Sequence, residues 1–172
     1  DIVSKKFIDM TKALELINND FIRTSEERHI SYVQTIWERL QKKGDIYLDA
    51  YKGWYSIRDE SFIAENEITI NKNNEKIGPS GDILKWLEEP SYFFKLSKWQ
   101  NKLLEFYSNN PDFIKPKTRY NEVIKFVKTG LQDLSISRTS FSWGIKVPGS
   151  SNHIIYVWLD ALFNYLSVFN NE

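Results

Sequence analysis

A segment near the end of the chain combines aromatic and aliphatic side chains at a spacing expected of a ligand pocket. Trp158, Leu162 and Tyr165 lie at i, i+4 and i+7, so a helix places all three on one face. The apolar run before them predicts a buried strand over 154–157. Ligands of α/β sheets bind beyond the carboxyl ends of strands, where a strand meets the next helix. By spacing alone, a stripe that faces the core is the commoner interpretation.

The composition excludes several kinds of site. The 172 residues include no cysteine, so disulfides and thiolate metal sites are excluded. The two histidines, His29 and His153, are too few for a zinc site, and each is interpreted as a surface or packing side chain. Because 23 basic residues balance 23 acidic ones, net charge predicts no overall attraction to nucleic acid.

The hydropathy pattern bears on the compartment. No apolar run approaches the ~20 residues that a transmembrane helix needs. No secretory signal pattern opens the sequence. We therefore expect a cytoplasmic protein with no membrane partner.

The elements that must position these residues follow from periodicity and turn signals. Helices are predicted over 5–17, 24–43, 97–107 and 117–128, and extended or strand segments over 45–56, 67–70, 83–94 and 134–138. The second helix is the best specified, with a capping box formed by Thr24 and Glu27 and a stop at Gly44. Ser97 is the predicted cap of the third helix.

The arrangement of these elements predicts a piece of a larger protein. Helical ends enclose a β-rich middle of roughly ninety residues, a size that suits an independent module inserted in a scaffold. The strand over 154–157 has no predicted partner, and an unpaired strand exposes backbone groups. A missing part of the protein, or a second copy of the chain in a non-native dimer, would supply the partner.

Several strings resemble one family, in its order and at its spacing. They are Asp20–Ser25, Gly44–Tyr47, Tyr51–Ser56, Glu88–Ser97, Gly130–Arg138 and Tyr156–Tyr165. Together they resemble the methionyl-tRNA synthetases of the bacterial type, and the resemblance covers nearly the whole chain.

The resemblance implies the fold class and the domains. It implies an α/β protein: a partial class I Rossmann-type catalytic domain with a small mixed α+β connective-peptide insertion. Residues 1–44 resemble the end of the first Rossmann half, 45–133 the connective-peptide domain and 134–172 the start of the second half. The HIGH-type and KMSKS-type motifs, which lie upstream and downstream in the family, are absent. The chain alone is therefore expected to be inactive.

The resemblance also implies the roles of individual residues. Trp158, Ala161, Leu162 and Tyr165 resemble the family's methionine pocket. Arg138 matches its catalytic arginine, and a permanently charged guanidinium suits phosphate or carboxylate charge in a transition state. A surface or interdomain ion pair is the alternative for Arg138.

Two further polar residues of the same segment are active-site candidates. They are Asp160, which the helix dipole alone could also explain, and Asn164. Neither role follows from spacing.

The sequence departs from the family pattern at three places. Many members carry zinc knuckles in the connective domain, whereas the equivalent stretch, about 56–82, has no cysteine. We therefore expect no zinc and no other metal in this chain. Leu162 stands where some relatives have Pro, and Leu134 where some have an aromatic residue, which affects the details of the pocket.

The resemblance implies the function of the parent protein. The family adenylates methionine with ATP and Mg2+ and transfers it to tRNA-Met in protein biosynthesis. Leucyl, isoleucyl and valyl enzymes are the alternative within class I, but they carry a much larger insertion. A stand-alone nucleic-acid or protein binding module is the alternative outside it, and that hypothesis predicts no orphan strand and no exposed Trp158.

Overall fold

The computed structural model describes residues 2–59 and 61–169, which contain five α-helices and eight strands. The helices are α1 Ile2–Ala13, α2 Glu27–Lys42, α3 Gln100–Asn109, α4 Lys117–Lys128 and α5 Val157–Ser167. The strands are β1 Ile46–Ser56, β2 Ser61–Ile63, β3 Thr69–Ile70, β4 Lys76–Ile77, β5 Lys85–Phe94, β6 Leu134–Ser135, β7 Ser137–Arg138 and β8 Ile154–Ile155.

The middle of the chain forms a four-stranded antiparallel sheet in the order β2-β1-β5-β6. Its centre is the pairing of β1 with β5, in register from Ile46 opposite Phe94 to Tyr55 opposite Lys85. Aromatic residues suit a pleated surface, and they meet across this pair, as where the Trp54 and Trp86 rings lie 5.3 Å apart. The β-rich middle is thus confirmed, and β5 covers residues 85–94 of the segments predicted over 83–94.

The core lies where α2 and α5 pack near the two-stranded sheet of β7 and β8. His29, Val33 and Trp37 are completely buried at i, i+4 and i+8 of α2, as its periodicity predicts. The buried hydrophobic cluster comprises Val33, Trp37, Ile46, Ile136, Ile145, Val147, Ile155 and Leu159. Burial of one such side chain contributes about 1.5–3 kcal/mol. This cluster therefore holds α2 against residues 136–159.

The first residue of α2 differs from the prediction, whereas its C-terminal end agrees with it. The helix begins at Glu27 with Glu26 as its cap and no side-chain capping bond, so the capping box of Thr24 is wrong. At the other end Gly44 has φ +70°, and its N–H donates to the Gln41 carbonyl at 2.9 Å. Asp45 N–H donates to the Leu40 carbonyl at 3.0 Å, and this pair of bonds forms a Schellman motif.

The cap predicted for the third helix is also wrong. A 3-10 turn over Leu96–Trp99 precedes α3, and α3 begins at Gln100. The Ser97 backbone N–H and hydroxyl both donate to Asp133 Oδ1, at 3.1 and 2.6 Å. Ser97 therefore ties the start of the helical segment to its end.

The strand before α5 is shorter than predicted and has a partner. It ends at Ile155, and α5 starts at Val157, so Trp158 lies in the helix. β8 pairs antiparallel with β7, with Ser137 opposite Ile155 and Arg138 opposite Ile154. The expectation of an orphan strand is therefore wrong, and the argument for a dimer that rested on it is removed.

The segment 134–138, predicted as one strand, divides between two sheets. β6 pairs with β5 in the four-stranded sheet, whereas β7 pairs with β8. Ile136 lies between them, completely buried, and its N–H donates to the Tyr92 carbonyl at 2.8 Å. The four-stranded sheet thus includes residues on both sides of the domain boundary predicted between 133 and 134. The boundary itself stays a prediction.

Candidate functional site

Arg138 lies on β7 among aromatic rings. Its guanidinium carbon is 4.1 Å from the centre of the Tyr156 ring, 5.9 Å from that of Tyr51 and 6.0 Å from that of Phe62. Nη1 donates to the Ser137 carbonyl at 2.8 Å and to Ser135 Oγ. Within residues 2–59 and 61–169 no carboxylate forms an ion pair with Arg138, so the predicted alternative of an ion pair is not seen there. The guanidinium is held in place without being neutralised.

The stripe of α5 faces away from the core. Trp158 is 49% exposed, Leu162 58% and Tyr165 75%, and Ala161 is also exposed. The core-facing interpretation is therefore wrong, because the buried side of α5 carries Leu159 instead. The four side chains predicted for the pocket share one helix and lie open on its outer side.

An apolar groove runs beside this stripe. Its volume is about 490 Å3. Its walls are entirely aliphatic and aromatic: Leu40, Phe94, Leu96, Trp99, Leu103, Leu134, Trp158, Leu159, Leu162 and Phe163. Of the predicted pocket residues, Trp158 and Leu162 line the groove, and Ala161 and Tyr165 do not. Such a groove can hold an unbranched apolar side chain, since it offers no polar partner.

Asp160 connects α5 to α2 through a buried histidine. The His29 ring is completely buried, with Nε2 2.8 Å from Asp160 Oδ1 and Nδ1 2.9 Å from Ser167 Oγ. Because a carboxylate only accepts, His29 Nε2 carries a proton. His29 is thus a packing side chain and not a surface one. Its position one helical turn before Val33 is the signal in the sequence that indicates burial.

Asp160 also lines a small cavity, and Asn164 lies one turn further along α5. The cavity has a volume of about 250 Å3. It is bounded by Thr24, Ser25, Ile30, Ser142, Trp143, Gly144, Ile145 and Asp160. Asn164 Oδ1 is buried, without a hydrogen-bond partner among the described residues, while its backbone carbonyl accepts from the Ser167 hydroxyl at 3.2 Å. The active-site roles of both residues stay predictions.

Two polar side chains of β5 that the sequence analysis did not select reach the strand of Arg138. Glu89 and Ser91 are buried, 5% and 1% exposed, on the same side of β5. Glu89 Oε1 accepts from Ser140 N–H at 2.9 Å, and Ser91 Oγ donates to the Ser137 carbonyl at 2.9 Å. A charged residue at an inward position of an alternating strand was the signal available in the sequence.

His153 lies at the edge of β8 against the same strand. The Ser137 hydroxyl oxygen accepts from Tyr92 N–H at 2.8 Å, so its proton is free to point at His153 Nδ1, 3.0 Å away. Burial lowers the pKa of His153 from its ordinary value of 6.5, and the negative charge of Glu89 opposes this only in part. His153 therefore packs as a neutral imidazole and lines an open polar cavity of about 710 Å3.

The part of the chain that the structure describes offers neither a metal site nor a membrane-spanning helix. No three His, Asp or Glu side chains come together there in a way that could hold a metal ion. No described helix has both the length and the apolar character to cross a bilayer.

Comparison with known proteins places this geometry in a family. The whole chain, residues 1–172, matches the family model of the class I tRNA synthetases (M). The chain belongs to this family. The methionine–tRNA ligase of Rickettsia typhi is 56% identical over 167 residues, or 97% of this chain, and that of Rhizobium meliloti is 53% identical over 164 residues. The predicted family is thus confirmed.

The solved structures agree with the class I tRNA synthetase (M) family. A structure of Mycobacterium tuberculosis methionyl-tRNA synthetase in complex with methionyl-adenylate has a TM-score of 0.80 to this chain at 49% identity, over 94% of it. The apo form of the same enzyme gives a TM-score of 0.77. The chain spans about a third of the relatives: 32% of the Rickettsia typhi ligase and 32% of the adenylate-bound enzyme.

Proposed function

We propose that this chain is an internal segment of a cytoplasmic methionine–tRNA ligase, which joins methionine to tRNA-Met in protein biosynthesis. The observation that carries the proposal is the 56% identity to such a ligase over 97% of the chain. The apolar groove beside the exposed Trp158 and Leu162 supports it, because this surface suits the methionine side chain.

The proposed domains follow the same template. Residues 1–44 end the first Rossmann half, 45–133 form the connective-peptide domain and 134–172 begin the second half. The remaining halves of the catalytic domain and the anticodon-binding domain belong to the longer protein. The described residues do not fit a Mg2+ site of three or more acidic or imidazole ligands.

The proposed pocket selects methionine by shape and by its sulfur. A thioether has no strong hydrogen-bonding group, and each contact between sulfur and an aromatic ring contributes roughly 0.3–1.5 kcal/mol. Trp158 supplies a ring and Leu162 an aliphatic wall of the groove. Tyr165 and Ala161, outside the groove on the same helix, are proposed to supply a second ring and the space for approach. An apolar pocket discriminates by only about 1–3 kcal/mol per methylene, so close fit to the side chain matters.

The proposed reaction begins with adenylation. A carboxylate oxygen of methionine attacks the α-phosphorus of ATP, and pyrophosphate leaves with the electron pair of the broken P–O bond. Negative charge then has to be stabilised on the phosphate oxygens. Arg138 is suited to this, since its guanidinium is oriented by Ser137 and Tyr156 and has no carboxylate partner among the described residues. Asp160 and Asn164 are the further active-site candidates.

The test is amino-acid-dependent ATP–pyrophosphate exchange by the full-length protein that contains this segment. We expect exchange with methionine and not with leucine, isoleucine or valine. The Trp158→Ala variant is expected to raise the KM for methionine about tenfold while the KM for ATP stays unchanged. Trp86→Ala is the matched control, because Trp86 is similarly exposed, at 55%, but lies on β5 away from the groove.

Other results would reject the proposal. Exchange with another aliphatic amino acid would assign the segment to a sister synthetase of class I. No exchange with any amino acid would favour the binding-module hypothesis. Equal effects of the two tryptophan variants would remove Trp158 from the pocket.

A further inference from the structure

We infer that Glu89 is a positioning residue that orients Arg138. The inference rests on the proposed function, because the role of Arg138 in adenylation is itself proposed. Glu89 lies on β5, in the connective-peptide domain, and Arg138 lies on β7. The sheet of that domain would thus set the position of a residue in the catalytic site.

One carboxylate oxygen of Glu89 gathers three donors from the two residues that follow Arg138. Glu89 Oε1 accepts from the backbone N–H of Thr139, from the Thr139 hydroxyl at 2.7 Å and from Ser140 N–H at 2.9 Å. Hydrogen bonds to an ionised acceptor are shorter and stronger than neutral ones. They fix the backbone directly after the arginine to a strand fifty positions earlier in the chain.

Ser91 holds the other side of Arg138. Its Oγ lies 2.6 Å from Ser135 Oγ and donates to the Ser137 carbonyl at 2.9 Å. Those two oxygens are also the acceptors of Arg138 Nη1. The two buried side chains of β5 therefore hold the segment both before and after the guanidinium.

Two of the three rings around Arg138, those of Tyr51 and Phe62, come from the four-stranded sheet. Tyr51 is opposite Glu89 in the pairing of β1 with β5, and Phe62 comes from the neighbouring β2. A Cβ at Gly53 would lie 3.1 Å from a carbon of the Phe62 ring, so the glycine makes room for it. The guanidinium thus lies near two rings of the sheet that also carries Glu89 and Ser91.

The three donors need an acceptor, but a buried carboxylate at position 89 is a costly one. Burial of a charge is costly, and a well-packed apolar residue in its place is often neutral or stabilising. Glu89 Oε2 is buried and has no partner among residues 2–59 and 61–169, which adds to the cost. A carboxylate at this place is explained by what its Oε1 orients.

The test compares variants of the full-length protein in methionine-dependent ATP–pyrophosphate exchange, with rates normalised by active-site titration. Glu89→Ala is expected to lower kcat tenfold or more, with the KM for methionine within twofold, because a displaced catalytic group costs rate. Glu89→Gln is expected to restore most of kcat, since its Oε1 accepts from the same donors. Glu88→Ala is the matched control: Glu88 is half exposed, and its carboxylate forms an ion pair with Lys52 at 3.0 Å.

A double-mutant cycle with Arg138→Gln decides whether Glu89 acts through the arginine. We expect Glu89→Ala to lower kcat less than twofold in the Arg138→Gln background. An equal loss in both backgrounds would overturn the inference, as would a Glu89→Ala protein that loses only thermal stability. If Glu89→Ala does not fold, Thr139→Val, which removes one donor, enters the same cycle.

The two proposals fail in distinguishable ways. If Arg138→Gln alone leaves kcat unchanged, the role proposed for Arg138 is wrong, and Glu89 cannot act through it. If Arg138→Gln lowers kcat but Glu89→Ala does not, only the inference about Glu89 is wrong.

Discussion

Replacement of Asp160 tests what the carboxylate does between α5 and α2. Asp160→Ala leaves the N–H of His29 Nε2 without its acceptor in a completely buried site, where the bond length is now 2.8 Å. A hydrogen bond to a charged group contributes about 1.5–3 kcal/mol. The carboxylate also lies in the first turn of α5, where the helix dipole adds about 0.3–1 kcal/mol. We expect the free energy of unfolding to fall by the sum of the hydrogen-bond and helix-dipole contributions.

Asp160→Asn keeps the hydrogen bond and removes the charge. Its Oδ1 can still accept from His29, so the loss is the dipole contribution of about 0.3–1 kcal/mol plus the difference of about 1 kcal/mol between a charged and a neutral hydrogen bond. The assay is urea unfolding of the 172-residue chain followed by far-UV circular dichroism. A Tm change of about 2–4 °C per kcal/mol is a second readout for a domain of this size. Equal losses for Ala and Asn, or no loss for Ala, would refute the role of the buried hydrogen bond.

Two further predictions concern pH and backbone conformation. The pKa of His153 is lowered in the folded state from its ordinary value of 6.5. At a pH between the folded and unfolded pKa values, the unfolded chain therefore binds more protons than the folded one. The free energy of unfolding falls as the pH drops from about 6.5 through the folded pKa. His153→Gln should abolish this part of the dependence in urea unfolding between pH 5 and 8; an unchanged slope would contradict the assignment. Gly144→Ala should destabilise by about 1–3 kcal/mol or more, since φ is +127° and a Cβ would lie 2.6 Å from Ile154. Gly149→Ala, at φ +74° with no atom within 4 Å of the added Cβ, should cost less; equal losses in thermal unfolding would contradict the clash.

The regular elements of the fold were accessible from local patterns. The α2 helix follows from apolar residues at helical spacing and from Gly44, and β1 follows from its run of aromatic residues. These signals are local because the period of each element and the turn that ends it are encoded in adjacent residues.

The start of α2 lies three residues after the predicted Thr24, in a region that an ion pair between Asp20 and Arg28 spans. The Arg28 guanidinium forms two bonds to the Asp20 carboxylate, at 2.6 and 2.9 Å, and a third to Glu26 at 2.7 Å. The bonds to Arg28 lower the pKa of the Asp20 carboxyl from its ordinary value. This bidentate pair folds the chain back before the helix, and Thr24 does not cap it.

The stripe of α5 in the candidate site could be found from spacing, whereas the pocket role came from the family resemblance and stays a prediction. Spacing alone favoured a core-facing stripe, and its exposure is seen only in the structure. The contacts of Glu89 with Thr139 and of His29 with Asp160 join residues 50 and 131 positions apart. No periodicity relates such positions, so only the folded structure brings them together.

The buried peptide at Ile136 links the four-stranded sheet to the start of α5. Its N–H donates to Tyr92 of β5, and its carbonyl accepts from Tyr156 N–H at the start of α5. Movement of the sheet relative to α5 therefore breaks at least one of the two bonds. Regions that share such bonds unfold as one cooperative unit. We therefore expect the four-stranded sheet not to rotate independently, because its motion would carry α5, the helix of Trp158, with it.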